Sequence, residues 1–376
     1  AASDVYKRQL QVPPAEAYGV ATFYDMFRTD EPGHDASVHH VCVDTACHVA
    51  DAEGQARRLE ADGLQVHRGP CLGQCERAPA RFVQGRREPD HVPADAAALD
   101  SPGSYRLPSP PMRLLSRVGV GDPTSLDSYR EQGGGAALTR AVELGSQPVI
   151  DELRAAGLVG RGGAAFPTAV KWQGVADQPG SPKHVIANAD ESEPGTFKDR
   201  IVMENDPFAV IEGLTLAGLT VGAEHGWIYI RGEYPLATQR LGDAIEQARA
   251  AGLLGADVLG SGRSFDIELR RGAGAYICGE ETALMESIEG FRGEPRNKPP
   301  FPTTHGLYGQ PTVVNNPETL LNALHIVEHG ADRFRELGTD DSPGTRLFCV
   351  SGHVATPGVY EVALGTTLGD LLELAG

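Results

Sequence analysis

The sequence lacks the long apolar run, the export signal and the surplus of basic residues that mark several large classes of protein. Among its 376 residues, the least polar window is the stretch 213–223, which is too short to span a bilayer. No basic segment followed by an apolar one opens the chain, so no export signal is visible. Acidic residues outnumber basic ones by 51 to 33, and the net charge of −18 repels phosphate backbones and anionic lipid. We therefore predict no nucleic-acid partner and no insertion into a membrane. The expected location is the cytoplasm, either free or peripheral on the cytoplasmic side of a membrane complex.

Cysteine is scarce and unevenly placed, which argues against a secreted disulfide scaffold. Cys278 and Cys349 stand alone, whereas the other four form a C-x4-C and a C-x3-C pair within 34 residues. Four thiolates commonly hold a 2Fe–2S cluster, and structural zinc prefers the tighter C-x2-C spacing. The spacing favours a cluster, with zinc and unliganded or disulfide-bonded cysteines as alternatives. The quartet consists of Cys42, Cys47, Cys71 and Cys75.

Proline density divides the chain. The stretch 86–111 contains six prolines, which disfavour both helix and sheet and therefore predict a linker. Beyond it, helical and strand patterns alternate, as expected for an α/β sheet with covering helices. The patterns predict strands at 40–43, 81–83, 184–187, 226–230 and 265–269, strand-like alternation over 346–362, and helices at 51–63, 149–156, 236–250, 317–328 and 367–374.

Two polar segments of the second half are candidates for ligand binding. GRGGAAFPTAVKW, residues 160–172, places three glycines within four positions ahead of a helix, where a phosphate can approach the backbone. NADESEPGTFKDR, residues 188–200, follows a predicted strand, where carboxylates can accept hydrogen bonds from ribose or flavin. Taken alone, a glycine-rich turn is often only a turn, and an acidic cluster is usually a solvated surface.

Longer motifs carry a family resemblance. PPAEAYGVATFYDMF, VCVDTACH and PCLGQCERAP, within residues 11–84, resemble the thioredoxin-like 2Fe–2S subunit of respiratory complex I and related diaphorases. The two polar segments, followed by GAGAYICGEETALMESIEGFRGEPRNKPPFP and PTVVNNPETL, resemble the NADH-oxidising FMN subunit of complex I. Its soluble relatives include diaphorase subunits of NAD-dependent formate dehydrogenases and NAD-reducing hydrogenases. This second resemblance covers residues 113–376. Ala165 stands where the family commonly has glycine.

The resemblance implies a role for each matching residue. The flavin and its phosphate would lie against Gly160, Arg161, Gly162, Gly163 and Lys171. The flavin ring and ribityl chain would be hydrogen-bonded by Asn188, Asp190 and Glu191. The pocket would be completed by Gly279, Glu280, Glu281, Asn315 and Asn316. Around the dinucleotide would lie Phe166 and Phe301 on the adenine, Lys298, and Glu193 as the candidate catalytic carboxylate. The 2Fe–2S cluster would be held by Cys42, Cys47, Cys71 and Cys75.

The expected fold is α/β, with a partial thioredoxin-like 2Fe–2S domain at 10–85 and a Pro-rich linker at 86–112. A Rossmann-like FMN- and NADH-binding domain at 113–340 and the start of a β-grasp, SLBB-like domain at 341–376 would follow. The family's 4Fe–4S segment is not represented, so we expect a chain truncated at its C-terminus.

The expected function is that of an NADH:acceptor oxidoreductase, or diaphorase, module. It would exchange electrons between NADH, FMN and iron–sulfur clusters, alongside other iron–sulfur subunits of a complex I, formate dehydrogenase or hydrogenase assembly. The alternative is a scaffold that binds no flavin and only docks partner subunits.

Overall fold

In the part of the chain that the structure describes, the fold is built on three separate β-sheets. It is described here by a computed structural model for residues 12–27, 37–85, 105, 107–110, 112–180 and 182–376. Most of the linker predicted for 86–112 lies outside these ranges.

The first sheet is small and mixed. Its central strand pairs in parallel with the second strand and antiparallel with the third. The helical crossover between the first two strands is capped by Asp51, whose carboxylate accepts a hydrogen bond from the backbone N–H of Gly54 at 3.1 Å. The strand and helix predictions for this region are confirmed to within a few residues. The elements are α1 (Pro14–Ala21), β1 (Val38–Cys42), α2 (Thr45–Val49), α3 (Ala52–Ala61), β2 (Gln65–Gly69) and β3 (Arg81–Gln84).

The second sheet is parallel and has its strands in the order β6-β5-β4-β7. The chain adds β5 and β6 outward from β4 and then returns to place β7 on the other side of β4. In a sheet of this kind, ligands bind where the order reverses, beyond the carboxyl ends of the strands. The crevice between β4 and β7 is therefore the position where the fold itself favours a site. The strands are β4 (His184–Ala189), β5 (His225–Ile230), β6 (Asp266–Arg271) and β7 (Thr312–Asn315).

Helices cover this sheet, and in two of them, α8 (Lys198–Asn205) and α9 (Pro207–Val221), every residue is buried. The predicted helix end at 156 and the predicted helix start at 317 are confirmed: Gly157 ends α6 in the left-handed conformation, and Asn316 caps α13. The helices are α4 (Leu126–Glu131), α5 (Ala136–Leu144), α6 (Ser146–Ala156), α7 (Thr168–Ala176), α8 (Lys198–Asn205), α9 (Pro207–Val221), α10 (Pro235–Ala250), α11 (Glu281–Ile288), α12 (Pro302–His305), α13 (Pro317–His329) and α14 (Ala331–Arg335).

The last elements form an antiparallel pair and a helix. The alternating stretch 346–362 is two strands, β8 (Thr345–Val350) and β9 (Gly358–Ala363), joined by a turn. Thr367 begins α15 (Leu368–Ala375) with a reciprocal capping box to Asp370.

A short N-terminal strap, residues 23–27, packs against the parallel-sheet domain. The Tyr24 hydroxyl donates to the carbonyl of Phe291 at 2.8 Å, and the Met26 N–H donates to the carbonyl of Ala273 at 3.0 Å. The side chain of Gln84 on β3 in turn donates to the Met26 carbonyl at 2.7 Å. The strap thus ties the small mixed sheet to the larger domain.

Candidate functional site

The carboxyl ends of β4 and β7 lie side by side at the switch point, where Ala187 pairs with Asn315. Asn188, near the end of β4, donates from its amide to the carbonyl of Gly279 at 2.8 Å. Asn315, which ends β7, is buried, and its amide oxygen accepts a hydrogen bond from the indole N–H of Trp172 at 2.8 Å. Three of the four sequence blocks that carry the second resemblance thus supply Asn188, Gly279 and Asn315 at one edge of the sheet, because parallel strands bring their carboxyl ends together. Trp172 belongs to the fourth block.

The fourth block, the glycine-rich segment, folds back over this crevice. The Gly160 N–H donates to the Phe166 carbonyl at 2.9 Å and closes the turn. Gly163 and Ala165 have φ values of +120° and +52°, in the left-handed half of the map where glycine is favoured. A Cβ on Gly162 would lie 3.2 Å from the Cβ of Asn316. The turn therefore approaches the start of α13 closely because it carries no side chain there.

The two cations of this segment are held by the protein itself. Arg161 is buried, and its guanidinium donates to the carbonyls of Val159 and Pro343, while its N–H donates to Thr319 at 2.9 Å. The Lys171 ammonium donates to the Val314 carbonyl at 2.9 Å, and burial lowers its pKa. Arg161 thus anchors the turn to α13.

The amino end of α13 faces the glycine-rich turn and favours an anion. Asn316 caps the helix by accepting a hydrogen bond from the Glu318 N–H at 2.9 Å. Its amide donates to Asp199 at 2.6 Å. The buried Lys198 ammonium contacts Asp199 at 2.8 Å and Glu318 at 2.9 Å. This buried ion-pair network fixes the cap and so fixes the helix end against the turn.

The two central acids have different environments. Asp190 is 9% exposed, and burial raises its pKa to about 7 although the charge of Arg231 opposes the shift. Glu191 accepts hydrogen bonds from the N–H groups of Asp199 and Arg200 at 2.9 and 3.0 Å. Burial raises the pKa of Glu191 to about 7 as well. The Glu191 carboxylate is therefore occupied in capping α8, which leaves Asp190 as the acid at the crevice.

The rim of the crevice carries more acids and a lysine. Glu280 caps α11 by accepting hydrogen bonds from the N–H groups of Thr282 and Ala283. Lys298 bridges the two neighbouring acids, at 2.9 Å from Glu280 and 2.7 Å from Glu281. These contacts hold the turn after Gly279 in one conformation.

Aromatic side chains stand exposed at the same rim. Phe166 is 48% exposed and Phe301 is 58% exposed. Tyr276, which the sequence did not single out, is 56% exposed, and its hydroxyl donates to Glu193 at 2.5 Å. Exposed aromatic rings beside an open crevice can stack on a planar ligand. The signal for Tyr276 was its place among the glycines of GAGAYICG.

The four clustered cysteines come together in the mixed-sheet domain. All are buried, and their sulfurs form a connected row, Cys42 contacting Cys47 and Cys71, and Cys71 lying 3.3 Å from Cys75. Hydrogen bonds from Cys42 and Cys75 lower the pKa of Cys71. The N–H groups of Gly73 and Ala80 point at the sulfurs of Cys71 and Cys47, at 3.4 and 3.3 Å.

Both groups implied by the sequence fit these residues. Thiolates that receive backbone N–H donors are suited to an iron–sulfur cluster. Across the described ranges, no group of three or more His, Cys, Asp or Glu side chains closes around a single metal ion. In the crevice, a glycine-rich turn facing a capped helix end suits a phosphate, and buried Asp190 with the Asn188 amide suits the polar edge of a flavin ring.

The fold and the site together define a flavin-binding α/β protein that carries a ferredoxin-type domain in the same chain. Family comparison agrees in each part. Residues 153–325 match the Nuo51 FMN-binding domain, residues 2–99 the thioredoxin-like [2Fe-2S] ferredoxin, and residues 347–376 the SLBB domain. The central part of the chain thus matches the Nuo51 FMN-binding model and the first part matches the thioredoxin-like ferredoxin model, which confirms the resemblance and the predicted fold class.

Individual relatives have related names. The chain is 50% identical over 261 residues to an NADH-quinone oxidoreductase subunit of Rhizobium meliloti, covering 69% of this chain and 62% of the relative. It is 45% identical over 262 residues to an NADP-reducing hydrogenase subunit of Solidesulfovibrio fructosivorans, covering 69% and 53%. An air-oxidised NAD+-reducing [NiFe]-hydrogenase matches with a TM-score of 0.81 at 33% identity, covering all of this chain and 66% of that chain. The matched part therefore spans less than two thirds of the length of these two curated relatives.

Membrane crossing finds no support in the part of the chain that the structure describes, where no helix is both long and apolar enough to span a bilayer.

Proposed function

We propose that the chain is the NADH-oxidising module of an NADH:acceptor oxidoreductase. The observation that carries this proposal is the switch-point crevice, where the glycine-rich turn, Asp190 and the amino end of α13 meet. When bound there, FMN supplies the means to take a hydride from NADH and to pass electrons singly to an iron–sulfur cluster.

The residues of the chain would bind and orient these groups. We assign the turn from Gly160 to Gly163 and the cap of α13 at Asn316 to the flavin phosphate. Asn188 and Asp190 would hold the flavin ring. Arg161, Lys171 and Glu191 would act indirectly, since each is bound within the protein, and Asn315 and Gly279 would shape the walls.

The dinucleotide would lie over the exposed rim. Phe166 and Phe301 would stack on the adenine, and Glu193 with its partner Tyr276 would lie close to the dinucleotide. Glu280, Glu281 and Lys298 would set the shape of this rim through their shared ion pairs. Cys42, Cys47, Cys71 and Cys75 would hold the 2Fe–2S cluster.

The relatives are named as subunits of an oxidoreductase and of a hydrogenase, which supports a place in a larger redox assembly. We propose that its partners include other iron–sulfur subunits and that the assembly is cytoplasmic. A 4Fe–4S cluster would belong to a part of such an assembly that this sequence does not contain.

The test is anaerobic titration of the FMN-reconstituted protein with NADH. We expect the flavin absorbance to bleach with about one equivalent of NADH. In Gly162→Ala the new Cβ meets Asn316, so flavin affinity should fall at least tenfold. The matched control Gly242→Ala adds a Cβ with no heavy atom within 4 Å and should bind flavin normally. A protein that folds but binds no flavin would contradict the proposal and leave the scaffold alternative.

A further inference from the structure

The flavin-binding domain contributes directly to the surroundings of one cluster cysteine. The N–H of Gly195, in the acidic segment, points at the sulfur of Cys71 at 3.5 Å. The Arg231 guanidinium donates to the Cys71 carbonyl at 2.7 Å. Cys71 therefore receives contacts from residues more than 120 positions away in sequence.

Arg231 is shared between the two candidate cofactor sites. It follows β5 at the same edge of the sheet as Asp190, and it is 3% exposed. One of its terminal nitrogens donates to the Glu191 carbonyl at 2.7 Å, and the other donates to Cys71. The planar guanidinium thus holds the backbone at Glu191 and the backbone at Cys71 at a fixed separation.

The charge of Arg231 is partly balanced by one neighbour. The Glu233 carboxylate lies 2.9 Å from the same nitrogen that contacts Cys71. Reduction of a cluster held by four thiolates adds negative charge, so a nearby positive charge stabilises the reduced form and raises the reduction potential. Burial weakens the screening of such a charge. Removing Arg231 and removing the charge of Glu233 should therefore shift the potential in opposite directions.

We propose that Arg231 is a positioning residue with two effects. It joins the segment after β4, at Glu191, to the loop that carries Cys71, and it raises the reduction potential of the 2Fe–2S cluster. This inference rests on the proposed function, because it requires both groups to be bound. It assigns Arg231 no contact with substrate.

The experiment is a redox titration of the full chain, loaded with FMN and cluster, followed by electron paramagnetic resonance. Arg231→Met should lower the midpoint potential of the cluster, and Glu233→Gln should raise it. Arg263→Met is the control, because it also removes a partly buried guanidinium bonded to a carbonyl, that of Leu219 at 2.9 Å. Arg263 precedes β6 and so lies at the opposite edge of the sheet, and its loss should leave the potential unchanged.

If Arg231 had only a structural role, Arg231→Met and Glu233→Gln would shift the cluster's midpoint potential in the same direction, or neither would shift it. Either result would overturn the inference. If Arg231→Met does not fold, Arg231→Lys keeps the charge but loses the fork. Its expected signature is a near-normal potential with an altered resonance line shape, and a spectrum identical to that of the unmodified protein would count against positioning. Loss of the flavin or the cluster from the unmodified protein would instead refute the proposed function.

Discussion

The two candidate cofactor sites differ in how the chain builds them. The cysteine quartet comes from 34 residues, and each of its side chains is at most 5% exposed. The crevice is assembled from segments between Gly160 and Asn316, and its rim includes Phe301 at 58% exposure. An enclosed site suits a group that stays bound, whereas an open one suits a nucleotide that must enter and leave. Local sequence can specify the first, but the second depends on strand order.

The largest expected effect separates the two sites completely. Cys71→Ala should lose the 2Fe–2S centre, because the cluster needs all four thiolates, while flavin binding stays within about twofold of normal. Iron and sulfide analysis with paramagnetic resonance of the reduced protein measures this. Cys278→Ala, which removes a buried thiol outside the quartet, should keep full iron content. Zinc in place of iron would make the domain purely structural.

The crevice should respond to pH through Asp190. Its pKa of about 7 in the fold exceeds the ordinary value, so its stabilising contribution is complete below pH about 4 and is lost as pH rises through 7. Relative to Asp190→Asn, the flavin-free protein should lose about 2 kcal/mol of stability between pH 5 and 8. Thermal unfolding at both values checks this, with the exposed Asp127→Asn as control. The prediction would be contradicted if the melting temperatures of the unmodified protein and of Asp190→Asn changed by the same amount between pH 5 and 8.

The strap that connects the two domains packs closely against Gly232, where a side chain would not fit. A Cβ on Gly232 would lie 2.5 Å from the Met26 sulfur and 2.6 Å from the Gly272 carbonyl. Gly232→Ala should therefore lower the free energy of unfolding by about 2 kcal/mol. The helical Gly242→Ala should instead be neutral or slightly stabilising. Equal melting temperatures in the two variants would argue against close packing of Gly232 against the strap.

The open rim should select between nucleotides. Carboxylates near the dinucleotide, Glu193 among them, would repel the 2′-phosphate of NADPH, so the unmodified protein should prefer NADH. An exposed charge contributes about 1 kcal/mol. Glu193→Gln should therefore lower the ratio of kcat/KM for NADH to kcat/KM for NADPH about fivefold. Glu143→Gln, an exposed surface change on α5, should leave the ratio alone. Comparable efficiency of the unmodified protein with both nucleotides would refute the prediction.

The smallest effect concerns the glycine-rich turn. Ala165 occupies the left-handed region at φ +52°, which costs an L-residue about 1 kcal/mol. Ala165→Gly should raise stability by up to about 1 kcal/mol in denaturant unfolding, whereas the adjacent Ala164→Gly should not. A loss of stability in Ala165→Gly would show that the turn relaxes around the alanine.

Local patterns determined much of this protein. Asn316 before Pro317 and Thr367 before α15 were readable as helix starts, because a cap involves only residues two or three positions away. The quartet and the polar blocks were readable from type and spacing, and the buried strands from their apolar runs. The roles assigned to the individual site residues remain predictions.

Tertiary structure alone decided which neighbouring side chain faces which site. Asp190 and Glu191 are adjacent and chemically alike, yet only packing against α8 engages Glu191 as a cap and leaves Asp190 at the crevice. The strap contact between Tyr24 and Phe291, the Tyr276–Glu193 contact and the Arg231 bridge to Cys71 join residues 83 to 267 positions apart. No local pattern encodes such contacts, because their geometry exists only after the sheets have formed and the two domains have packed together.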